Sequence, residues 1–148
     1  MKLWISLRRI WSSPQPLKHI GEAERVGPYI FNSNEFRSSD LTIRPKAFEP
    51  AKKSKNKSIF RLDGLALGQI KRLGWLYVGL FRNKRPYGHA RLLVGMIHEQ
   101  GLKVTPDIKQ HPRHALIDNW PQLKAHRISL MLQLAMNSEL VKYENRNS

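Results

Sequence analysis

The chain has 148 residues, with 26 Lys and Arg against 11 Asp and Glu, and its formal net charge is +15 at pH 7. A surplus of this size favours a polyanionic partner, because cations that contact phosphates release condensed counterions. The chain contains no cysteine, which excludes disulfides, thiol nucleophiles and Cys-ligated zinc.

The first 20 residues are predicted to be an N-terminal extension with a short amphipathic helix that ends at Pro14. This helix either packs on the domain or binds anionic lipid or a partner protein. Because Arg8 and Arg9 interrupt the apolar run, the segment is a poor secretory signal, and a cytoplasmic location is expected. The apolar residues of the predicted helix are Leu3, Trp4, Leu7, Ile10 and Trp11.

Residues 21–148 are predicted to form one domain that begins with a strand. The run VGPYIF from Val26 to Phe31 is typical of a strand, and Asn32 begins a turn. Residues 37–50 are polar and irregular, and the lysine-rich run 51–57 is predicted to be a mobile basic loop. That loop is either simply solvated or in contact with phosphate.

The middle of the chain alternates between predicted strands and helices. Ser58–Leu62 is predicted to be a strand, and Asp63 is the predicted N-cap of a helix from about Gly64 to Leu73. Gly74 is expected to close that helix. The following WLYVGLF is either a buried strand or a second apolar helical turn, since periodicity does not distinguish them.

A second helix is predicted from His89 to Gln100, with Gly101 at its C′ position. Residues 102–104 then begin a strand that Pro106 ends. Another strand is predicted at residues 115–117.

A last helix is predicted from Asn119, its N-cap, to about Ser138. Strands and helices follow one another without a regular βαβ rhythm. The pattern therefore predicts a small single α+β domain with about three helices.

One segment interleaves cations with aromatic residues, as surfaces that bind nucleic acid do. Cations hold phosphates, and flat rings stack on unpaired bases. Trp75 and Phe81 in this segment are either stacking residues or core residues. The residues predicted to contact nucleic acid are Lys71, Arg72, Arg82, Lys84, Arg85, Tyr87, His89 and Arg91.

Another segment could carry acid–base chemistry. His111, Arg113 and His114 offer a proton acceptor, an anion clamp and a proton donor, and Arg61 is a second candidate clamp. Metal-independent RNA cleavage needs such a set. On a strand, Arg113 points away from His114 unless the backbone turns at Pro112. The alternative is that His114 is a hydrogen-bonded core residue.

Metal and cofactor signatures are weak or missing from the sequence. Asp107, His111, His114 and Asp118 could ligate a divalent ion, but their spacing matches no standard site. His98–Glu99 lacks the second histidine of HExxH, and there is no GxGxxG, P-loop or GxSxG motif. No cofactor and no metal are predicted.

Four segments, namely YIFNSNEF, KAFEP, SIFRLDGL and PRHALIDNWP, resemble a group of small bacterial proteins. The group shares an IFS strand, an FRxxGL helix start and a PRHAxIxxWP segment, and the resemblance covers residues 26 to about 143. It implies a single domain of bacterial or mobile-element origin and no particular reaction. The matching positions include Arg61, His114, Trp120 and Pro121. The chain departs from the pattern at Ala66–Lys71 and at Gly88–Leu92.

The sequence thus favours a basic protein that binds RNA or DNA through phosphate contacts. The first alternative is a small metal-independent enzyme that acts on RNA or a nucleotide. The second is a subunit of a larger nucleoprotein complex that docks through Leu3, Leu7, Ile10 and Trp11.

Overall fold

A computed structural model describes residues 19–79 and 82–144. The predicted N-terminal helix and Phe81 lie outside these residues. The described chain is a small α+β domain, as the sequence predicts. The strands of its main sheet are β1 (Arg25–Gly27), β2 (Tyr29–Ile30), β5 (Lys57–Arg61), β6 (Gly88–Leu93), β7 (Lys103–Pro106), β8 (His114–Asp118) and β9 (Glu139–Lys142).

The remaining elements surround this sheet. Strands β3 (Phe36–Arg37) and β4 (Thr42–Ile43) pair with each other as a separate small hairpin. The α-helices are α1 (Leu67–Leu73), α2 (Val94–Glu99) and α3 (Lys124–Met136), and α1 continues into a π-helical turn at Gly74–Gly79. Short 3-10 turns lie at Ser33–Glu35 and Pro45–Phe48.

The main sheet is antiparallel throughout. Its order runs β9, β6, β1 with β2, β5, β8 and β7. Strands β1 and β2 keep one register against β6, with Val26 opposite Leu92 and Tyr29 opposite His89. Pro28 separates them because it has no N–H to give to the ladder. The predicted strand of Val26–Phe31 is therefore present as two pieces.

Side chains alternate between two faces of this sheet. The first face carries the larger core, which includes Val26, Ile59 and Ile117 and packs under α2 and α3. The second face carries a smaller aromatic cluster that includes Tyr29 and Phe60. Residues 67–79 cover this second face, and we call them the cover layer.

The predicted helix of His89–Gln100 is wrong in its first half, because Gly88–Leu93 is strand β6 and α2 begins only at Val94. Leu92 and Leu93 fit a helical spacing with Met96 and Ile97, and this spacing led to the wrong prediction. Strand β6 instead pairs with β1 and β2 on one side and β9 on the other. Hydrogen bonding along both edges of β6 outweighs the helical spacing of its apolar residues. Gly101 has a φ of +81°, as its predicted C′ position requires.

Two predicted helix caps are also wrong. The Asp63 carboxylate accepts the backbone N–H of Arg25, and α1 begins three residues beyond the predicted start, with Ala66 as its N-cap. Asn119 adopts a φ of +70° and donates its side-chain amide to the carbonyl of Gly101. Helix α3 therefore begins at Lys124, after a loop that the sequence pattern did not separate from it.

The segment predicted to be irregular contributes to the core. Ala47 and Phe48, in the 3-10 turn, are fully buried against the larger core. The lysine-rich loop after it closes on itself, because the N–H of Lys55 donates to the carbonyl of Ala51 and the N–H of Ala51 donates to the carbonyl of Asn56.

Candidate functional site

The cover layer rests on the ring of Tyr29. The Tyr29 hydroxyl donates a 2.7 Å hydrogen bond to the carbonyl of Ile70 in the middle of α1. A Cβ atom at Gly74 would lie 2.5 Å from the Tyr29 ring, so the backbone passes directly over that ring. The absence of a side chain at Gly74 allows this close approach. Tyr29 thus fixes where the cover layer presents its outer side chains.

Five exposed cations of the cover layer and of the loop after it form what we call the basic surface. The Arg82 guanidinium lies 4.7 Å from the centroid of the Phe31 ring, and that of Arg85 lies 4.8 Å from the Trp75 ring. Both distances are within the range of cation–π attraction. The rings therefore hold the two guanidinium groups at the surface. The basic surface consists of Lys71, Arg72, Arg82, Lys84 and Arg85.

Two lysines of the basic surface also contact residues of the underlying domain. The Lys71 ammonium lies 5.7 Å from the centroid of the Tyr143 ring. The Lys84 ammonium donates a 2.9 Å hydrogen bond to the side-chain oxygen of Asn32. Both partners are uncharged, so neither contact is an ion pair.

The positive charge of this surface is not offset by its own segment. No Asp or Glu occurs between Gly64 and His98. Two acidic residues elsewhere form ion pairs of their own: Glu24 with Arg61, at 2.5 Å, and Glu139 with Arg91, at 2.8 Å. The basic surface therefore brings five positive charges together in a segment that has no acidic residue.

Two of the other predicted contacts, Tyr87 and Arg91, interact with other parts of the protein. Tyr87 is half-buried, its ring is 5.5 Å from that of Phe36, and it packs against the larger core. Arg91 forms its ion pair with Glu139 and, together with Arg25, lines an open pocket of about 310 Å³. Packing against the core thus explains the position of the Tyr87 ring, and the ion pair with Glu139 explains the position of the Arg91 guanidinium.

His89, the third of these other predicted contacts, is buried in the interior beside the aromatic cluster. Its Nδ1 atom lies 2.8 Å from the hydroxyl of Tyr143, and its ring is 6.4 Å from that of Tyr29. Burial, assisted by the charge of Arg91 and opposed by that of Glu139, lowers the pKa of His89 to about 4. His89 is therefore neutral in the folded protein at neutral pH.

The burial of neutral His89 predicts that the folded protein loses stability as the pH falls. The unfolded chain protonates His89 near pH 6.5, whereas the folded chain does so only near pH 4. The stability that the neutral His89 contributes is therefore complete above pH 6.5 and is lost as the pH falls to about 4. The loss amounts to about 3 kcal/mol of unfolding free energy. Urea denaturation at pH 7, 6 and 5 should show a steeper decline for the parent than for His89→Gln, with the exposed His126→Gln as control. Equal declines for parent and His89→Gln would contradict the assignment.

A second group of side chains, which we call the histidine cluster, lies where the cover layer meets the loop between β7 and β8. It consists of Phe60, Tyr77, Asp107, His111 and His114. His114 Nδ1 is 3.0 Å from Asp107 Oδ2. The His114 ring is 5.2 Å from Phe60, and the His111 ring is 5.1 Å from Tyr77. Phe60 touches both histidines and Tyr77, so one ring joins the group.

The loop geometry holds the polar members of the cluster in place. The N–H of Asp107 donates to the carbonyl of His114, and the N–H of His114 donates to the carbonyl of His111. His111 Nδ1 accepts the backbone N–H of Arg113 at 3.0 Å. The Tyr77 hydroxyl lies 3.4 Å from the side-chain oxygen of Gln110.

Burial sets the protonation states in the cluster. It lowers the pKa of His111 to about 4, with the charges of Arg113 and His114 adding to the effect. Burial also lowers the pKa of His114, against the opposing influence of Asp107. Burial and the Asp107 carboxylate raise the pKa of the Tyr77 phenol. Both histidines are therefore neutral and Tyr77 is protonated at neutral pH.

The two arginines predicted as anion clamps point elsewhere. Arg61 donates two hydrogen bonds to Glu24, at 2.5 and 2.8 Å, with its side chain only 3% exposed. The Arg113 guanidinium donates to the backbone carbonyls of Arg61 and Asp63. Of the predicted acid–base set, the structure brings together His111 and His114 and directs the two guanidinium groups to protein partners.

Within residues 19–79 and 82–144, no three His, Asp or Glu side chains are grouped so that they could hold one metal ion. Asp107 and His114 are adjacent, but Asp118 lies at the opposite end of β8. Sequence reasoning did not place Tyr77 or Phe60 beside the histidines. Both are more than 30 residues away from the histidines in sequence. The register of β5 on β8 places Phe60 opposite His114, and the packing of the cover layer brings Tyr77 close.

Comparisons with protein-family models, curated proteins and solved structures found no match to this chain. No helix in the described part of the chain has the length and apolar character that crossing a membrane requires.

Proposed function

We propose that the protein binds the phosphate backbone of nucleic acid through the basic surface. The observation that carries this proposal is the seating of Arg82 on Phe31 and of Arg85 on Trp75. A guanidinium held on a ring has less freedom to lose on binding, while its N–H groups remain in the plane where a phosphate can accept them.

The charge distribution supports the same ligand class. The acid-free stretch from Gly64 to His98 contains all five cations of the basic surface. A phosphate chain that crosses this surface gains from several cations at once and releases the counterions condensed on it. An acidic protein would gain less, because its carboxylates do not release a condensed counterion layer.

Salt dependence provides the test. If five phosphates are engaged, the logarithm of the association constant should fall with the logarithm of salt concentration with a slope of about −3.5 for a single strand and about −4.5 for a duplex. Fluorescence anisotropy with labelled RNA and DNA oligonucleotides between 50 and 300 mM salt measures this slope. Absence of binding at low salt, or a flat response, would refute the proposal.

A further inference from the structure

We propose that the histidine cluster is an acid–base site that cleaves RNA by attack of a ribose 2′-hydroxyl on the adjacent phosphate, with His114 as the base. This inference rests on the proposed function, which brings the strand to the domain, and adds a reaction to it. The cluster and the basic surface share one segment, because Tyr77 and the Trp75 beneath Arg85 both lie in the turn Gly74–Gly79.

His114 has the hydrogen bonding of a general base. Asp107 Oδ2 lies 3.0 Å from His114 Nδ1, and an ionised carboxylate can only accept. The proton of neutral His114 is therefore on Nδ1, and the lone pair is on Nε2. The carboxylate also stabilises the imidazolium that forms when Nε2 takes a proton. The side chain is 8% exposed, and burial keeps it unprotonated until a substrate supplies the proton.

His111 is held in the opposite tautomer. Its Nδ1 accepts the N–H of Arg113, which places the proton of the neutral ring on Nε2. A neutral imidazole in this form donates a hydrogen bond without transferring the proton. Its role in the proposed reaction is to donate to a phosphoryl oxygen as negative charge develops there. The two histidines thus hold complementary roles, an acceptor and a donor, set by Asp107 and by the backbone of Arg113.

Tyr77 supplies the proton for the leaving group. Its hydroxyl is directed to the loop at Gln110, and its ring packs against His111 and Phe60. Because its raised pKa keeps the phenol protonated, it can give a proton to an alkoxide, which is far more basic. The half-buried rings of His111 and Tyr77 also offer flat surfaces on which a base of the strand can lie.

The reaction balances without any added reactant. His114 Nε2 takes the proton of the 2′-hydroxyl, the 2′-oxygen forms a bond to phosphorus, and the bond from phosphorus to the 5′-oxygen breaks. The 5′-oxygen takes its proton from Tyr77. The products are a 2′,3′-cyclic phosphate and a 5′-hydroxyl, and the proton on His114 returns to the Tyr77 phenolate through water.

The experiment incubates the full chain with a labelled single-stranded RNA in excess EDTA, beside the same sequence as DNA and as 2′-O-methyl RNA. We expect the parent to cleave only the RNA and to leave 2′,3′-cyclic phosphate ends. His114→Gln should lower the rate at least about 100-fold and Asp107→Asn by a comparable factor, whereas Tyr77→Phe should lower it about 10-fold or more. The exposed His126→Gln should match the parent.

Three results would overturn the inference. One is an RNA that the parent binds but does not cleave, which would leave the proposed function standing. Another is equal cleavage of the 2′-O-methyl strand, which needs no variant protein and so does not depend on folding. The third is parental activity in a folded His114→Gln variant. Failure of the proposed function would be separate, since it appears as loss of salt-dependent binding.

Discussion

Replacing Gly27 with Ala should prevent this domain from folding to its native state. A Cβ atom at Gly27 would lie 1.6 Å from the carbonyl oxygen of Ala90 and 2.6 Å from its carbonyl carbon, which is closer than non-bonded atoms can approach. The obstacle is the backbone of β6, which is paired on both edges and cannot turn aside as a flexible side chain can. Relief therefore requires that β1 separate from β6.

We expect a loss of more than about 4 kcal/mol of unfolding free energy, or no cooperative transition at all. The matched control is Gly68→Ala in α1, where an added Cβ meets no atom within 4 Å. There Ala should stabilise the protein by up to about 1 kcal/mol, since it favours a helix more than Gly does. Urea denaturation followed by circular dichroism measures both variants. A Gly27→Ala protein with the parent's urea midpoint would show that β1 and β6 do not approach as described.

The second large effect concerns the buried ion pair of Arg61 and Glu24. Their side chains are 3% and 10% exposed, and two hydrogen bonds join them. Removing one partner leaves a charge in the interior without its counterpart, which costs about 3–5 kcal/mol. Arg61→Met and Glu24→Leu should each lose a free energy of this order.

The double variant Arg61→Met with Glu24→Leu distinguishes pairing from simple packing. Because it leaves neither charge buried, it should be more stable than either single variant. Chemical denaturation of all four proteins completes a double-mutant cycle. Additive losses would show that the two side chains act independently, and Arg61 would again be a candidate for an external anion.

The pattern of apolar residues predicted correctly those strands whose alternating side chains also form the core. Ile59 and Ile117 alternate with their neighbours, and the strands that contain them are present as β5 and β8. The pattern failed at Gly88–Leu93, where Ala90 and Leu92 face the larger core while His89 and Arg91 face the other side. That alternation was present in the sequence, but the helical spacing of Leu92 with Met96 concealed it.

The candidate sites were predictable only where their residues are close in sequence. Lys71, Arg72, Arg82, Lys84 and Arg85 were identified together because one short segment contains them. The rings on which two of them rest could not be paired from sequence, since Phe31 lies about 50 residues before Arg82. The pair of Asp107 and His114 could have been found from the hairpin alone. Once β7 and β8 are antiparallel, the two residues face each other across its loop.

We expect the basic surface, and not the net charge of +15 alone, to determine the binding of nucleic acid. Two variants with the same net charge, each with five cations changed to Gln, distinguish the two possibilities. One changes the basic surface at Lys71, Arg72, Arg82, Lys84 and Arg85, and the other changes the exposed Lys52, Lys53, Lys55, Lys103 and Lys124.

The decisive measurement is the salt slope of single-stranded RNA binding for these two variants and the parent, after circular dichroism has shown that all three are folded. We predict that the slope stays at about −3.5 in the second variant and approaches zero in the basic-surface variant. Equal slopes in the two variants would contradict the proposed function of the basic surface, because binding would then follow the total charge and no particular surface.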